Sequence, residues 1–210
     1  MKKLLLALVT GAFLIGCGSD STTAEVVEEK ADKAPVVKEE KVVEIPKVQN
    51  IAKEAANVVY STFQDLAKIG PEGKYMILVF GTNTCPYCMK LKEDIYKTED
   101  LQKRLKESFS SYYLKTHENL RHKLFHEGEY MDVDTKTMTS IYGVEGTPTL
   151  IFTDKNGKAV IMVPGYMPPK QFLVTMDFME SGKWEGKDRK NGEVYQALKD
   201  FYIVNGIVKK

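Results

Sequence analysis

Neither sign of charge dominates this chain. Its 30 Lys and Arg are matched by 29 Asp and Glu, for a formal net charge of +1, and no large basic cluster appears. Nucleic acid is therefore not an expected partner. No apolar run is long enough for an ordinary membrane-spanning helix; the stretch from Leu4 to Ile15 is too short and wrongly flanked. Cysteine is scarce, with 3 residues, and only Cys85 and Cys88 form a close pair. A zinc site of the Cys2His2 kind would have to recruit His122 and His126, about 33 residues beyond Cys88 against the usual 12–15, with no second cysteine pair to help. A haem-attachment motif needs His at position 89, where Met89 stands. No metal and no bound cofactor is expected, beyond whatever redox chemistry the two thiols carry.

What is present is concentrated in Gly81-Thr82-Asn83-Thr84-Cys85-Pro86-Tyr87-Cys88, directly after the apolar run Met76 to Phe80. Two thiols two residues apart at a strand-to-helix junction point to a redox-active pair rather than to packing. With Cys85 as the helix cap and Pro86 as the first helical residue, the missing proline N–H removes a donor that would be orphaned anyway. The Cys85 sulfur then lies among free N–H groups at the positive end of the helix dipole, which favours thiolate. Cys88 falls one turn later, on the line through Leu91 and Ile95, and is expected to face the interior. Cys85 is thereby expected to attack and Cys88 to resolve.

The N-terminus reads as an export signal. Lys2 and Lys3 precede the apolar stretch, which ends Leu14-Ile15-Gly16-Cys17. This resembles the bacterial lipoprotein signal, in which the cysteine is lipidated and becomes the mature N-terminus. The alternatives are an uncleaved anchor or a secreted chain in which Cys17 is incidental. From residue 18 to 49 Ser, Thr, Glu, Lys and Val dominate and aromatics are absent. Such a segment cannot offset its ordering entropy by burial and reads as a disordered, charged tether, spanning about 30 Å r.m.s. as a flexible coil. The division expected is therefore 1–17 signal, 18–49 tether and 50–210 folded domain, with 43% hydrophobic residues enough for one real core.

Apolar spacing predicts a helix from about Asn50 to Ile69, stopped by Gly70-Pro71, and a strand from Lys74 to Phe80 covered on both faces. The motif helix follows, then a helical stretch or kinked continuation from Asp100 to Ser108 and a strand from Ser111 to Thr116. Helical spacing in 117–133 would stack His122 over His126 as a metal pair; Glu127-Gly128 favours a hairpin instead, with both imidazoles on a solvated face. No role is assigned to His117, His122 or His126. A short helix from Lys136 to Tyr142 leads to Gly146-Thr147-Pro148. A hairpin with its turn at Lys155-Asn156-Gly157 comes next, then helices over Pro169 to Glu180 and Gly192 to Val204.

Strand, Cys-x-x-Cys helix, strand, helix, Gly-Thr-Pro, hairpin and closing helix resemble the thioredoxin fold over about residues 72–181. The fold class implied is α/β, a central mixed sheet flanked by helices. To it this chain adds an N-terminal helix, an insertion before the Pro148 hairpin and an extra C-terminal helix. The resemblance implies that Pro148 is cis and lies against the Cys85–Cys88 pair, with the Thr147 backbone free to pair with an extended partner. Gly146-Thr147-Pro148 together with Val163-Pro164-Gly165-Tyr166-Met167-Pro168-Pro169 looks most like the DsbC/DsbG-type and SoxW-like branches. Three features depart from the wider family: Pro86-Tyr87 stands where thioredoxin has Gly-Pro, Met76 to Phe80 carries no buried acid, and residues 18–70 hold no dimerisation domain. The expected activity is extracytoplasmic thiol–disulfide exchange, reducing disulfides of envelope proteins. Cys85 and Cys88 would be catalytic, Pro86, Tyr87, Thr147 and Pro148 would contact the partner, and Cys17 would be the lipid site. The expected partners are disulfide-bearing envelope proteins, an electron donor at the inner membrane and the membrane itself, with the chain a monomer. The competing readings are a non-catalytic binding module on the same scaffold, and a disulfide isomerase or oxidase.

Overall fold

Every residue of β2 (Tyr75–Gly81) after Tyr75 is buried, and the two-residue period of a strand deals its side chains to opposite sides. Ile77 and Val79 enter one hydrophobic cluster, while Met76, Leu78 and Phe80 enter another. The strand is apolar throughout because each face has its own core to fill. These elements belong to a computed structural model that describes residues 46–209. Residues 1–45, with the expected signal, Cys17 and most of the tether, lie outside the described residues.

In chain order the elements are α1 (Pro46–Thr62), β1 (Lys68–Ile69), β2, α2 (Pro86–Lys97), α3 (Glu99–Glu107) and β3 (Phe109–Lys115), then β4 (Arg121–His126), β5 (Glu129–Asp134) and α4 (Thr135–Tyr142). They end with β6 (Thr149–Thr153), β7 (Ala159–Pro164), α5 (Pro169–Glu180) and α6 (Glu193–Val204). The main sheet has the order β3-β2-β6-β7 and is mixed: β2 runs parallel to β3, with Val79 opposite Tyr113, and antiparallel to β6, with Leu78 opposite Ile151. Helices α1, α2, α3, α5 and α6 supply the core on the Ile77 face, through residues such as Val59, Leu91, Leu105, Phe172 and Leu198. On the other face Met138 and Tyr142 of α4 join Ile69, Leu124 and Val133 of a second sheet, ordered β1-β4-β5. Among the described residues no helix is long and apolar enough to cross a membrane.

Three expectations are corrected. Helix α1 starts at Pro46, so residues 46–49 are helical rather than tether; a proline in the first turn costs no helical hydrogen bond. The same helix stops at Thr62 rather than Ile69. There the Asp65 carboxylate accepts from the Ala67 N–H at 2.7 Å, a local turn that competes with helix, and Lys68–Ile69 pairs with β4 instead. The segment 121–134 is the expected hairpin, but its histidines do not share a solvated face. His122 is only 3% exposed because alternate residues of β4 point into the core beside Leu124. Its two ring nitrogens lie 2.7 Å from the Leu66 carbonyl and 2.8 Å from the Thr135 hydroxyl, so both are occupied by the protein itself.

Candidate active site

At Cys85 the chain turns from extended backbone (φ −85°, ψ 116°) into α2, with Pro86 in the first turn. The Cys85 sulfur accepts the Cys88 N–H at 3.1 Å, and its carbonyl accepts the Met89 N–H at 3.1 Å, so the residue caps the helix with both its side chain and its backbone. Cys88, Leu91, Lys92 and Ile95 form the buried face of α2, and Cys88 has no exposed surface. Cys85 remains partly exposed.

Burial works against ionisation at Cys85, but hydrogen bonds from the Cys88 side chain and backbone and from the Thr147 side chain outweigh it and hold the thiol below its ordinary range. At Cys88 burial comes first and the hydrogen bond with the Cys85 side chain adds to it, pushing that thiol up. The pair is polarised, with the accessible sulfur the more acidic.

The wall facing Cys85 comes from far along the chain. The Thr147–Pro148 peptide is cis, and the Cys85 sulfur lies 3.3 Å from the Thr147 carbonyl, to which its thiol donates. This loop is pinned from two sides: Gly165 N–H donates to the Pro148 carbonyl at 2.7 Å, and the Thr149 hydroxyl to the Gly146 carbonyl at 2.7 Å. On the outer rim Tyr87 is 63% exposed and stacks on Tyr166, with ring centroids 6.3 Å apart. The Tyr166 hydroxyl donates to Asp94, which also pairs with Lys90 at 3.2 Å. The sequence-predicted residues Cys85, Pro86, Tyr87, Cys88, Thr147 and Pro148 are thus brought together around one sulfur. Cys17 lies outside the described residues.

A profile of the Thioredoxin-like domain matches residues 62–180, more than half of the chain. The chain belongs to the thioredoxin-like family. A solved thioredoxin-fold protein from Helicobacter pylori is 33% identical, with a TM-score of 0.66, the match covering 73% of this chain and 97% of the other. The thiol:disulfide interchange protein DsbC of Dickeya dadantii is 25% identical over 131 residues, which is 51% of this chain and 52% of that protein. The present chain thus spans about half the length of that curated relative.

This thioredoxin-like site also holds groups that sequence reasoning missed. Tyr166, Asp94 and Lys90 complete the rim; the Lys90–Asp94 spacing of four was a readable signal, but nothing local ties it to Tyr166. Behind Cys88 stand Lys92 and Tyr113, the amine 4.9 Å from the ring centroid. Neither was legible, since Lys92 sits among other charged residues and Tyr113 in a segment read only as a strand. His122 and His126 are not part of the site, and among the described residues no group of three or more His, Cys, Asp or Glu could hold a metal ion.

Proposed function

We propose that this chain is an extracytoplasmic thiol–disulfide oxidoreductase that reduces disulfides of envelope proteins through Cys85 and Cys88. The observation that carries the reading is the opposite treatment of two identical side chains. One sulfur is accessible and capped by N–H groups, and the other is buried and kept as thiol. Two-step exchange needs that polarity. The Cys85 thiolate attacks a partner's disulfide, breaking it; a mixed disulfide forms and the partner's other sulfur leaves as thiolate. Cys88 then attacks Cys85, which closes the Cys85–Cys88 bond and releases the second partner thiolate. Two electrons have passed to the partner, and a donor at the inner membrane restores the dithiol.

Contact with the partner falls to the exposed Tyr87 ring, to Pro86 and to the backbone at Thr147, where an extended segment could pair beside Pro148, whose missing N–H leaves the sulfurs no competing donor. The relative named as a thiol:disulfide interchange protein supports the reaction class. Thr before Pro148 favours the reducing and isomerising branches, SoxW-like and DsbC/DsbG-like. Lys2-Lys3, the short apolar stretch and Cys17 support export and a lipid anchor, with the segment from residue 18 to 45 as tether to a monomeric domain that starts with α1 at Pro46.

Cys85→Ser is expected to lose reduction of insulin disulfides and to form no mixed disulfide. Cys88→Ala should accumulate mixed disulfides, visible on a non-reducing gel. Turnover retained by Cys85→Ser would remove the assigned nucleophile. Cys17→Ser is expected to move the chain from the membrane to the soluble fraction; unchanged membrane association defeats the lipid anchor.

A further inference from the structure

Neither exchange step above says where the Cys88 proton goes, and the buried thiol has no solvent to take it. Lys92 lies one turn beyond Cys88 on the same inward face of α2 and is only 5% exposed. Residues four apart on a helix have Cβ atoms about 5–6 Å from one another, a gap that a four-carbon amine or one bridging water closes. Among the described residues no carboxylate forms an ion pair with Lys92. Its amine rests instead over the Tyr113 ring, 4.9 Å from the centroid. The Tyr113 hydroxyl is itself buried without a hydrogen-bond partner, pressed against Gly81 at the end of β2. The Lys92 stem is buried and its head has no carboxylate partner among the described residues, so the amine is placed beneath a thiol that must ionise with no ion pair to hold it in the charged form.

The groups facing the amine are Cys88 on α2 and Cys85 at its cap, Tyr113 and Lys115 on β3 and Tyr60 on α1. Burial is the largest influence and lowers the amine's pKa; the Lys115 cation lowers it further. Lys115 stays charged through its bond to Glu118, 2.9 Å away. Burial raises the Tyr113 hydroxyl, so it is no competing base near neutral pH. A negative charge forming on Cys88 works the other way and draws a proton onto Lys92.

We propose that Lys92 accepts the proton of the Cys88 thiol as Cys88 attacks the mixed disulfide, and holds it as an ammonium over Tyr113. The step starts from the neutral Lys92 amine and balances: the S–H bond of Cys88 breaks and a third N–H bond forms on Lys92, giving the ammonium. The Cys88 electron pair then makes the Cys85–Cys88 bond, and the bond from Cys85 to the partner sulfur breaks, leaving a partner thiolate. This rests on the exchange reading of the previous subsection.

The test is the reduced full-length protein carrying Cys17→Ser, so that only Cys85 and Cys88 can react, mixed with dithiobis-nitrobenzoate in a stopped-flow instrument across a pH series. The first release of thionitrobenzoate reports attack by Cys85, and the second reports resolution by Cys88. Lys92→Met keeps the packed stem without the amine. It is expected to leave the first release intact and to slow the second on the order of 10²-fold near neutral pH. The deficit should close as pH rises far enough for Cys88 to ionise unaided. Lys92→Arg, which keeps a cationic head that cannot exchange its proton, should show the same deficit. A second release in either variant within about two-fold of the Cys17→Ser parent near neutral pH, or a deficit equal at every pH, overturns the role of Lys92. Absence of the first release in that parent would instead sink the exchange reading itself, and this proposal with it.

Discussion

At Cys85 the backbone changes from extended to helical within one residue, so the sulfur of a capping side chain meets N–H groups the helix leaves unpaired. Three residues on, the same atom type is fully buried, and burial outweighs the hydrogen bonds from Thr82 and Thr147 that favour charge. The difference is one of surroundings, and it makes a prediction about acidity. A lowered thiol pKa means more thiolate at a given pH, so alkylation of reduced Cys85 by iodoacetamide should rise at lower pH than for an ordinary cysteine. Cys88 should react later and more slowly, its thiol raised by burial. Mass spectrometry of each peptide across a pH series checks both; simultaneous labelling of the two would refute the polarity. The two neighbouring tyrosines of β3 make a similar contrast. Tyr112 hydrogen-bonds to the Gly70 backbone through its hydroxyl, while the Tyr113 hydroxyl points to the opposite face and finds no partner.

At the scale of elements, short-range side-chain chemistry sets the ends. Pro86 opens α2, Asp65 ends the reach of α1, and Asp134 caps α4 by accepting the Thr137 N–H at 2.7 Å. Hydrogen bonds from the Thr137 side chain and backbone, then from Asn119, hold the Asp134 carboxyl down at about 2. A carboxyl depressed on folding stabilises the protein above its unfolded value and loses that contribution as pH falls through the folded one. Asp134→Ala should therefore lower the thermal midpoint at neutral pH. Its gap from wild type should narrow between the ordinary value of 3.8 and about 2. A gap that stays constant down to the acid limit would show that the cap acts without its charge. The Pro86 start was read from the sequence, because a cap and its target lie within a few residues; the stop at Asp65 and the Asp134 cap are equally local but were not read. Strand β1 was not readable: two residues carry no periodicity, and only pairing with β4 makes them a strand.

For the whole molecule the question is how the small sheet is held to the large one. His122 answers part of it, bridging the Leu66 carbonyl before β1 and the Thr135 hydroxyl at the start of α4. His122→Ala removes both bonds, leaving the Leu66 carbonyl without its imidazole partner while Thr135 keeps its contact with the Leu120 backbone. It should cost about 1–3 kcal/mol, measured by urea unfolding, while the pH profile of Cys85 alkylation stays unchanged. An altered profile would mean that the insertion is coupled to the dithiol.

The architecture followed closely from pattern alone: the Cys-x-x-Cys helix, the doubly covered strand, the Asn156-Gly157 hairpin and the closing helices all rest on spacings of a few residues. Those are interactions between chain neighbours, and the order of residues states them directly. What stands opposite Cys85, 62 residues away at Thr147, came only through family resemblance. That His122 is buried, that Tyr166 leans on Tyr87, and that Lys92 lies under Cys88 against Tyr113 were decided by packing. Burial, and with it the acidity of a thiol or an amine, depends on which distant segments exclude water from a side chain, and no local pattern carries that information.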